Sequence, residues 1–146
     1  MSTPLDTSWI DGLVGYHLRR RSSAMAVEYA RAAGPDRLRP VLVLMLELID
    51  ANPGINQTEL GDVLGIQRAN MVPLVSQLID RDLIVRQRSA SDGRKLTLEL
   101  SPSGRTALEA GKWLIEDHER RMTARLTPAE RELLITMLRR IGEDER

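Results

Sequence analysis

The chain has 146 residues, 42% of them hydrophobic and 29% charged, with 21 basic against 21 acidic side chains and no cysteine. That length suits one domain with its own core, the composition is that of an ordinary soluble globular protein, and the lack of cysteine excludes disulfides, thiolate metal sites and thiol redox sensing. No apolar run approaches the roughly 20 residues of a membrane span. The opening MSTPLDTSWIDG has no basic segment followed by an apolar one, so no secretory signal is expected and the cytoplasm is the expected compartment.

Residues 8–32 are expected to form one helix, with Ile10, Leu13, Val14, His17 and Leu18 along one side and Gly34-Pro35 ending it. The run RPVLVLMLELID carries eight apolar residues between Val41 and Ile49. Periodicity alone does not separate a buried strand from a buried helix there. Leu, Met and Glu in its second half, and the stop at Asn52-Pro53-Gly54, favour a helix. Asn56 and Glu59 have capping-box spacing for a short helix through Leu64, and Gly65 fits the left-handed position past its end. A second helix is expected from Gln67 to Arg81, with Val72, Val75, Leu78 and Ile79 as its inner stripe. Two short helices around a glycine-containing turn match a helix-turn-helix.

The alternating runs 83–88 and 95–101 then form a hairpin, with Asp92-Gly93 supplying turn chemistry. Ser101 places a capping hydroxyl before Pro102, opening a long, mostly polar helix to about Ala124. Thr127, Pro128 and Glu130 open the last helix, whose Leu133, Leu134, Met137, Leu138 and Ile141 form one stripe. The expected fold is mainly α with a small β-hairpin (α+β), six helices in all.

A helix-turn-helix followed directly by a basic hairpin is a winged helix. Net charge is zero, but 84–96 holds four basic residues (Arg86, Arg88, Arg94 and Lys95) against the single acid Asp92, and the local field governs association. The first turn of the second helix lies nearest the bases, so Gln67, Arg68, Ala69 and Asn70 are candidate readers. Arg68 matches guanine O6 and N7, and Asn70 matches adenine N6 and N7. Thr58 and Gln77 join them as candidate DNA contacts. Arg94 is the candidate for the minor groove, where arginine is favoured, while Arg86, Arg88 and Lys95 would neutralise phosphates. Asp92 suits a structural role at the turn. The competing reading makes all of these solvated surface residues. Of the 21 basic residues only Lys95 and Lys112 are lysines. Arginine suits phosphates and base edges, yet a GC-rich genome is the favoured explanation of the bias.

The segment QTELGDVLGIQRANMVPLVSQLIDRDLIVRQRSASDGRKLTLELSPSG resembles the winged-helix core of the MarR family of bacterial transcriptional regulators. The family's wing motif Asp-x-Arg falls on Asp92-Gly93-Arg94, and its Leu-(Thr/Ser)-x-x-Gly strand end falls on Leu100-Ser101-Pro102-Ser103-Gly104. The resemblance implies a single domain over 1–146, with a DNA-binding lobe at 37–101 and dimerisation helices at 1–36 and 102–146. It also implies a homodimer with interleaved terminal helices, binding a pseudo-palindromic double-stranded operator whose half-site centres lie about 10 bp apart. Two departures stand out. Gly93 replaces an arginine that the family often carries, and Pro73 interrupts the recognition helix, where an interior proline costs roughly 3 kcal/mol. Pro73 is either a tolerated kink or an apolar contact to a thymine methyl.

Members of that family are often released from DNA by a small aromatic or phenolic acid, held between the dimerisation helices and the winged-helix lobe. Candidate effector-binding residues are Trp9, Tyr16, His17, Arg20 and Trp113, aromatic groups with a cation that suit an anionic aromatic ligand. The same residues suit a core or dimer interface, and the run HLRRRSS at 17–23 suits either the phosphates of a CoA thioester or solvent. No metal site is expected, since only His17 and His118 are available. No cofactor is expected, and no catalytic triad, phosphate-binding glycine loop or buried carboxylate pair is suggested, so no enzyme is expected. The expected function is a repressor released by a ligand. The alternative is a winged-helix module for protein contacts, which a steep salt dependence of DNA binding would exclude.

Overall fold

The computed structural model describes residues 5–88 and 95–142. Among these, seven helices and one two-stranded sheet follow in the order α1 (Ser8–Asp11), α2 (Val14–Ala33), α3 (Pro40–Ala51), α4 (Gln57–Leu64), α5 (Arg68–Asp80), β1 (Ile84–Arg88), β2 (Leu96–Leu100), α6 (Pro102–Met122) and α7 (Pro128–Arg139). The chain divides into two compact units, residues 35–115 and residues 1–34 with 116–146.

The mainly helical, hairpin-bearing class is the expected one, with one helix more. The single helix expected over 8–32 is two, because the Gly12 and Leu13 N–H groups close back on the Trp9 and Ile10 carbonyls at 3.4 and 3.0 Å. These are i→i−3 bonds, tighter than a continuing α-helix makes. Leu13 then turns extended at φ −97° and ψ 120° to begin α2. Gly12 has little helical propensity to resist the break. The His17 ring donates from Nε2 to the Asp11 carbonyl at 2.8 Å, occupying an acceptor that α1 leaves open.

In the unit 35–115, α3 contributes Leu42, Val43, Met45, Leu46 and Ile49 to a core completed by Leu60, Met71, Val75, Leu78, Ile84, Leu98 and Leu108. The inner stripe of α5 differs from expectation. Met71 is 1% exposed whereas Val72 is 46% exposed. Positions 71, 75 and 78 follow one helical face, and the long Met71 side chain takes the place assigned to Val72. The capping box of α4 forms as expected: Asn56 Oδ1 accepts from the Thr58 and Glu59 N–H groups at 2.8 and 3.1 Å, and Glu59 accepts from the Asn56 N–H at 2.9 Å. Gly65 follows in the left-handed conformation at φ 64°.

The hairpin is antiparallel, pairing Ile84 with Leu100, Arg86 with Leu98 and Arg88 with Leu96. The Leu98 N–H also donates to the Ile55 carbonyl at 2.9 Å, tying the sheet to the turn between α3 and α4. Ser101 locks the base of the wing. Its N–H donates to the Leu83 carbonyl at 3.0 Å, while its hydroxyl donates to the Asp82 carbonyl at 2.5 Å and accepts the Gly104 N–H at 2.9 Å.

The unit formed by both terminal regions buries Tyr29 and His118, whose rings meet edge-on at 5.5 Å. His118 Nε2 lies 3.0 Å from the Met25 carbonyl and 3.2 Å from Glu28 Oε2. Arg121 joins Glu28 to Asp117. At α7 the expected capping box forms between Thr127 and Glu130. The Thr127 backbone N–H, and then its hydroxyl, hold the Glu130 carboxyl below its ordinary value of 4.5. A carboxylate with a depressed folded-state pKa stabilises above its unfolded-state value and loses that contribution as pH falls through the folded one. A ¹³C NMR titration of Glu130 is therefore expected to show a midpoint below 4.5, and a midpoint at or above it removes the cap's charge assistance.

Candidate nucleic-acid interface

Sequence spacing on α5 places its polar residues away from the core. With Met71, Val75 and Leu78 buried, Asn70, Pro73 and Gln77 fall at i, i+3 and i+7 on the opposite, exposed side. Gln67 and Arg68 are exposed at the helix start, as is Thr58 on α4. The helix runs unbroken through Pro73, whose ring stands on this outer face. The face therefore offers amide donors and acceptors around an apolar patch, which suits base edges and a thymine methyl.

The hairpin contributes cations. Side chains alternate across a strand, so Arg86 and Arg88 share one face, opposite Leu98 and Leu96 in the register. Both arginines are exposed, as is Lys95. Arg86 reaches the Gln57 side chain of α4 at 3.5 Å, the limit of a hydrogen bond. Arg68, Arg86, Arg88 and Lys95 form no ion pair with another described residue. By contrast, two acids of α3 are engaged by α6, Asp50 with Arg105 at 2.6 Å and Glu47 with Lys112 at 2.9 Å. Negative charge in this unit is thus partly matched on α3.

Two contacts here are not legible as function in the sequence. Arg39, just before α3, donates to Gln77 Oε1 at 3.0 Å across 38 positions, so it orients that amide. Gln57 does the same service beside Arg86. Asp92 and Arg94, with the Asp92-Gly93 turn, lie outside the described residues. Among the effector candidates, Trp9 and Trp113 are 76% and 65% exposed. Tyr16 accepts from Arg20 at 2.7 Å and meets the His17 ring at 5.2 Å, so these three form one cluster on α2. The tryptophans are thus surface groups of the described structure, not core residues.

A helix-turn-helix with an outward polar face, followed by a two-stranded hairpin whose exposed arginines form no ion pair with another described residue, defines a winged-helix DNA-binding protein. The sequence profile of the MarR family matches residues 43–95. A protein of Thauera aromatica described as a transcriptional regulatory protein for the hcr operon is 35% identical, over 89% of this chain and 79% of its own length. The solved structure of the transcriptional repressor CouR bound to a 23-mer DNA duplex is 37% identical. It covers 97% of this chain and 100% of that one, with a TM-score of 0.88. CouR bound to p-coumaroyl-CoA is 35% identical and covers 97% of this chain and 99% of that one, with a TM-score of 0.85. The chain belongs to the MarR family and is a DNA-binding transcriptional regulator. No helix among the described residues is long and apolar enough to cross a membrane.

Proposed function

We propose that the protein is a homodimeric repressor that reads a pseudo-palindromic operator through α5 and its wings and is released by a small ligand. The observation that carries the DNA reading is the joint presence, in one unit, of the outward stripe Asn70–Pro73–Gln77 and the exposed cations Arg86, Arg88 and Lys95. Gln67, Arg68 and Asn70 read base edges from the start of α5, and Pro73 contacts a thymine methyl. Thr58, at the start of α4, donates to a phosphate. Arg94 is the wing's candidate for the minor groove, where arginine is favoured. The likeness to a repressor structure that holds duplex DNA supports this assignment.

Selection of bound duplexes from a random pool tests the reading, and enrichment of a palindrome is the expected result. On the selected duplex, Arg86→Ala and Arg88→Ala are each expected to lower the slope of log affinity against log salt by about 1 and to leave base preference unchanged. Binding without a salt slope would assign the wing to an acidic protein partner instead.

A second copy as partner is supported by α7, whose Leu133, Leu134, Met137 and Leu138 remain 57, 40, 46 and 39% exposed. So broad an apolar stripe is rare on a monomer's surface. For the ligand we favour an aromatic acid or its CoA thioester. CouR, at 35% identity, holds p-coumaroyl-CoA. Here the α2 cluster of Tyr16, His17 and Arg20 joins aromatic surface to a cation, within a run that also carries Arg19 and Arg21. Trp9, in the same unit, adds exposed aromatic surface, and Trp113 is an exposed aromatic of the other unit.

A further inference from the structure

Arg39 and Gln77 stand 38 positions apart in one unit of the chain and meet on the outer face of α5. Arg39 Nη2 donates to Gln77 Oε1 at 3.0 Å, and both residues are exposed. The backbone of the arginine is held on both sides. Leu38 before it is buried and Pro40 after it opens α3. Its own carbonyl accepts from the Leu42 and Val43 N–H groups at 2.9 and 3.3 Å. Arg39 forms no ion pair with another described residue, so no carboxylate among them competes with the amide for its guanidinium.

We propose that Arg39 is a positioning residue that makes Gln77 a donor-only reader of base edges, selecting guanine over adenine at the base pair it meets. Arginine has no acceptor, so the amide atom turned to it is the oxygen, and the two Nε2 donors are left for an outside partner. A free glutamine pairs with adenine by accepting from N6 and donating to N7. Presenting Oε1 to N6 here requires the amide to turn from Arg39 and give up a charge-assisted bond. Guanine shows only acceptors, O6 and N7, and takes the Nε2 donors without that loss. The guanidinium also polarises the amide, which strengthens its donors.

Gln77 sits where a base edge is within reach. It lies two helical turns beyond Asn70, about 10 Å along the axis, and a major groove that admits a helix is roughly 12 Å wide. With Asn70 and Pro73 it occupies the side of α5 opposite the buried Met71, Val75 and Leu78. The two amides of this face therefore differ, since Gln77 is steered by a residue outside its own helix. The role given to Arg39 rests on the reading of α5 as the helix that meets base edges, and it adds to that helix a determinant from the start of α3.

Binding of the full chain to a duplex selected from a random pool, and to every single-base-pair substitution of it, tests the assignment. Wild type, Gln77→Ala, Arg39→Ala, Arg39→Lys and the double alanine variant are compared; both residues are exposed, so all are expected to fold. The position at which Gln77→Ala flattens the preference marks the base pair that Gln77 meets. There the wild type is expected to favour guanine over adenine by about tenfold, and Arg39→Ala to bring the two within about twofold. Arg39→Lys keeps a charged donor without an acceptor and should retain the guanine preference. In the Gln77→Ala background, loss of Arg39 should change the preference no further. The proposal is overturned if no position responds to Gln77→Ala, if the wild type favours adenine at the position that does, or if Arg39→Ala leaves the preference unchanged. Equal loss of affinity for every duplex in both single variants, the mark of phosphate contacts, overturns it too. A pool that yields no enriched duplex sinks the reading of α5 and the proposal together, whereas enrichment with any of the other failures leaves that reading standing and removes the role of Arg39 alone.

Discussion

Gly104→Ala is expected to destabilise the winged-helix unit by about 3 kcal/mol or more, the upper range for overpacking a well-packed site. A Cβ on residue 104 would stand 1.9 Å from the Leu83 carbonyl oxygen and 2.9 Å from both its carbon and Leu100 Cδ2. The first neighbour is backbone, which cannot rotate aside as a side-chain tip does. Moving it breaks the bond from the Ser101 N–H to the same oxygen, at 3.0 Å, and loosens the joint from α5 into the wing. Gly111 provides the contrast. There a Cβ would meet the Val43 methyl groups at 2.6 and 2.9 Å, and a side chain can shift, so Gly111→Ala should cost less. Ser103→Ala, one position earlier and exposed, should be near neutral. Urea unfolding of the three variants ranks them. A loss below about 1 kcal/mol for Gly104→Ala would falsify the close approach as a structural requirement.

That glycine shows how motif and cause separate. In the sequence, Leu100-Ser101-Pro102-Ser103-Gly104 is a family likeness; in the structure it is a lock, with Ser101 bonded to the Leu83 and Asp82 carbonyls and Gly104 pressed against the first of them. Local features were readable because their physics is local. Asn56–Glu59 and Thr127–Glu130 each need only a three-residue spacing, and both boxes form. The phase of α5 was harder, since 71-75-78 and 72-75-79 are both apolar stripes one position apart. Only the packing of a long Met71 against the core decides between them. The break after α1 turns on one glycine inside an otherwise amphipathic pattern. Contacts distant in sequence left no trace at all: nothing in local spacing joins Arg39 to Gln77, or Arg86 to Gln57.

The second large effect concerns α7. Leu134 and Leu138 stand one helical turn apart and remain 40 and 39% exposed, beside Leu133 and Met137. If a second copy covers this stripe, replacing both leucines with aspartate places two carboxylates in an apolar interface, where each unpaired charge is strongly unfavourable. The helix itself has little reason to unfold, because neither side chain is buried in the single chain and the Thr127–Glu130 cap is untouched. The double variant is therefore expected to keep its helical circular dichroism and sediment as a monomer. Its affinity for a palindromic operator should fall by about a hundredfold or more, since a second linked half-site contributes 10²–10⁴ through effective concentration alone. Binding to an isolated half-site should change little, because Asn70, Arg86 and Arg88 lie in the other unit. That pair of measurements separates a lost partner from a damaged reading head. A wild-type chain that sediments as a monomer, or a variant that still dimerises, leaves the α7 stripe without a second copy to cover it and removes the pseudo-palindromic reading with it.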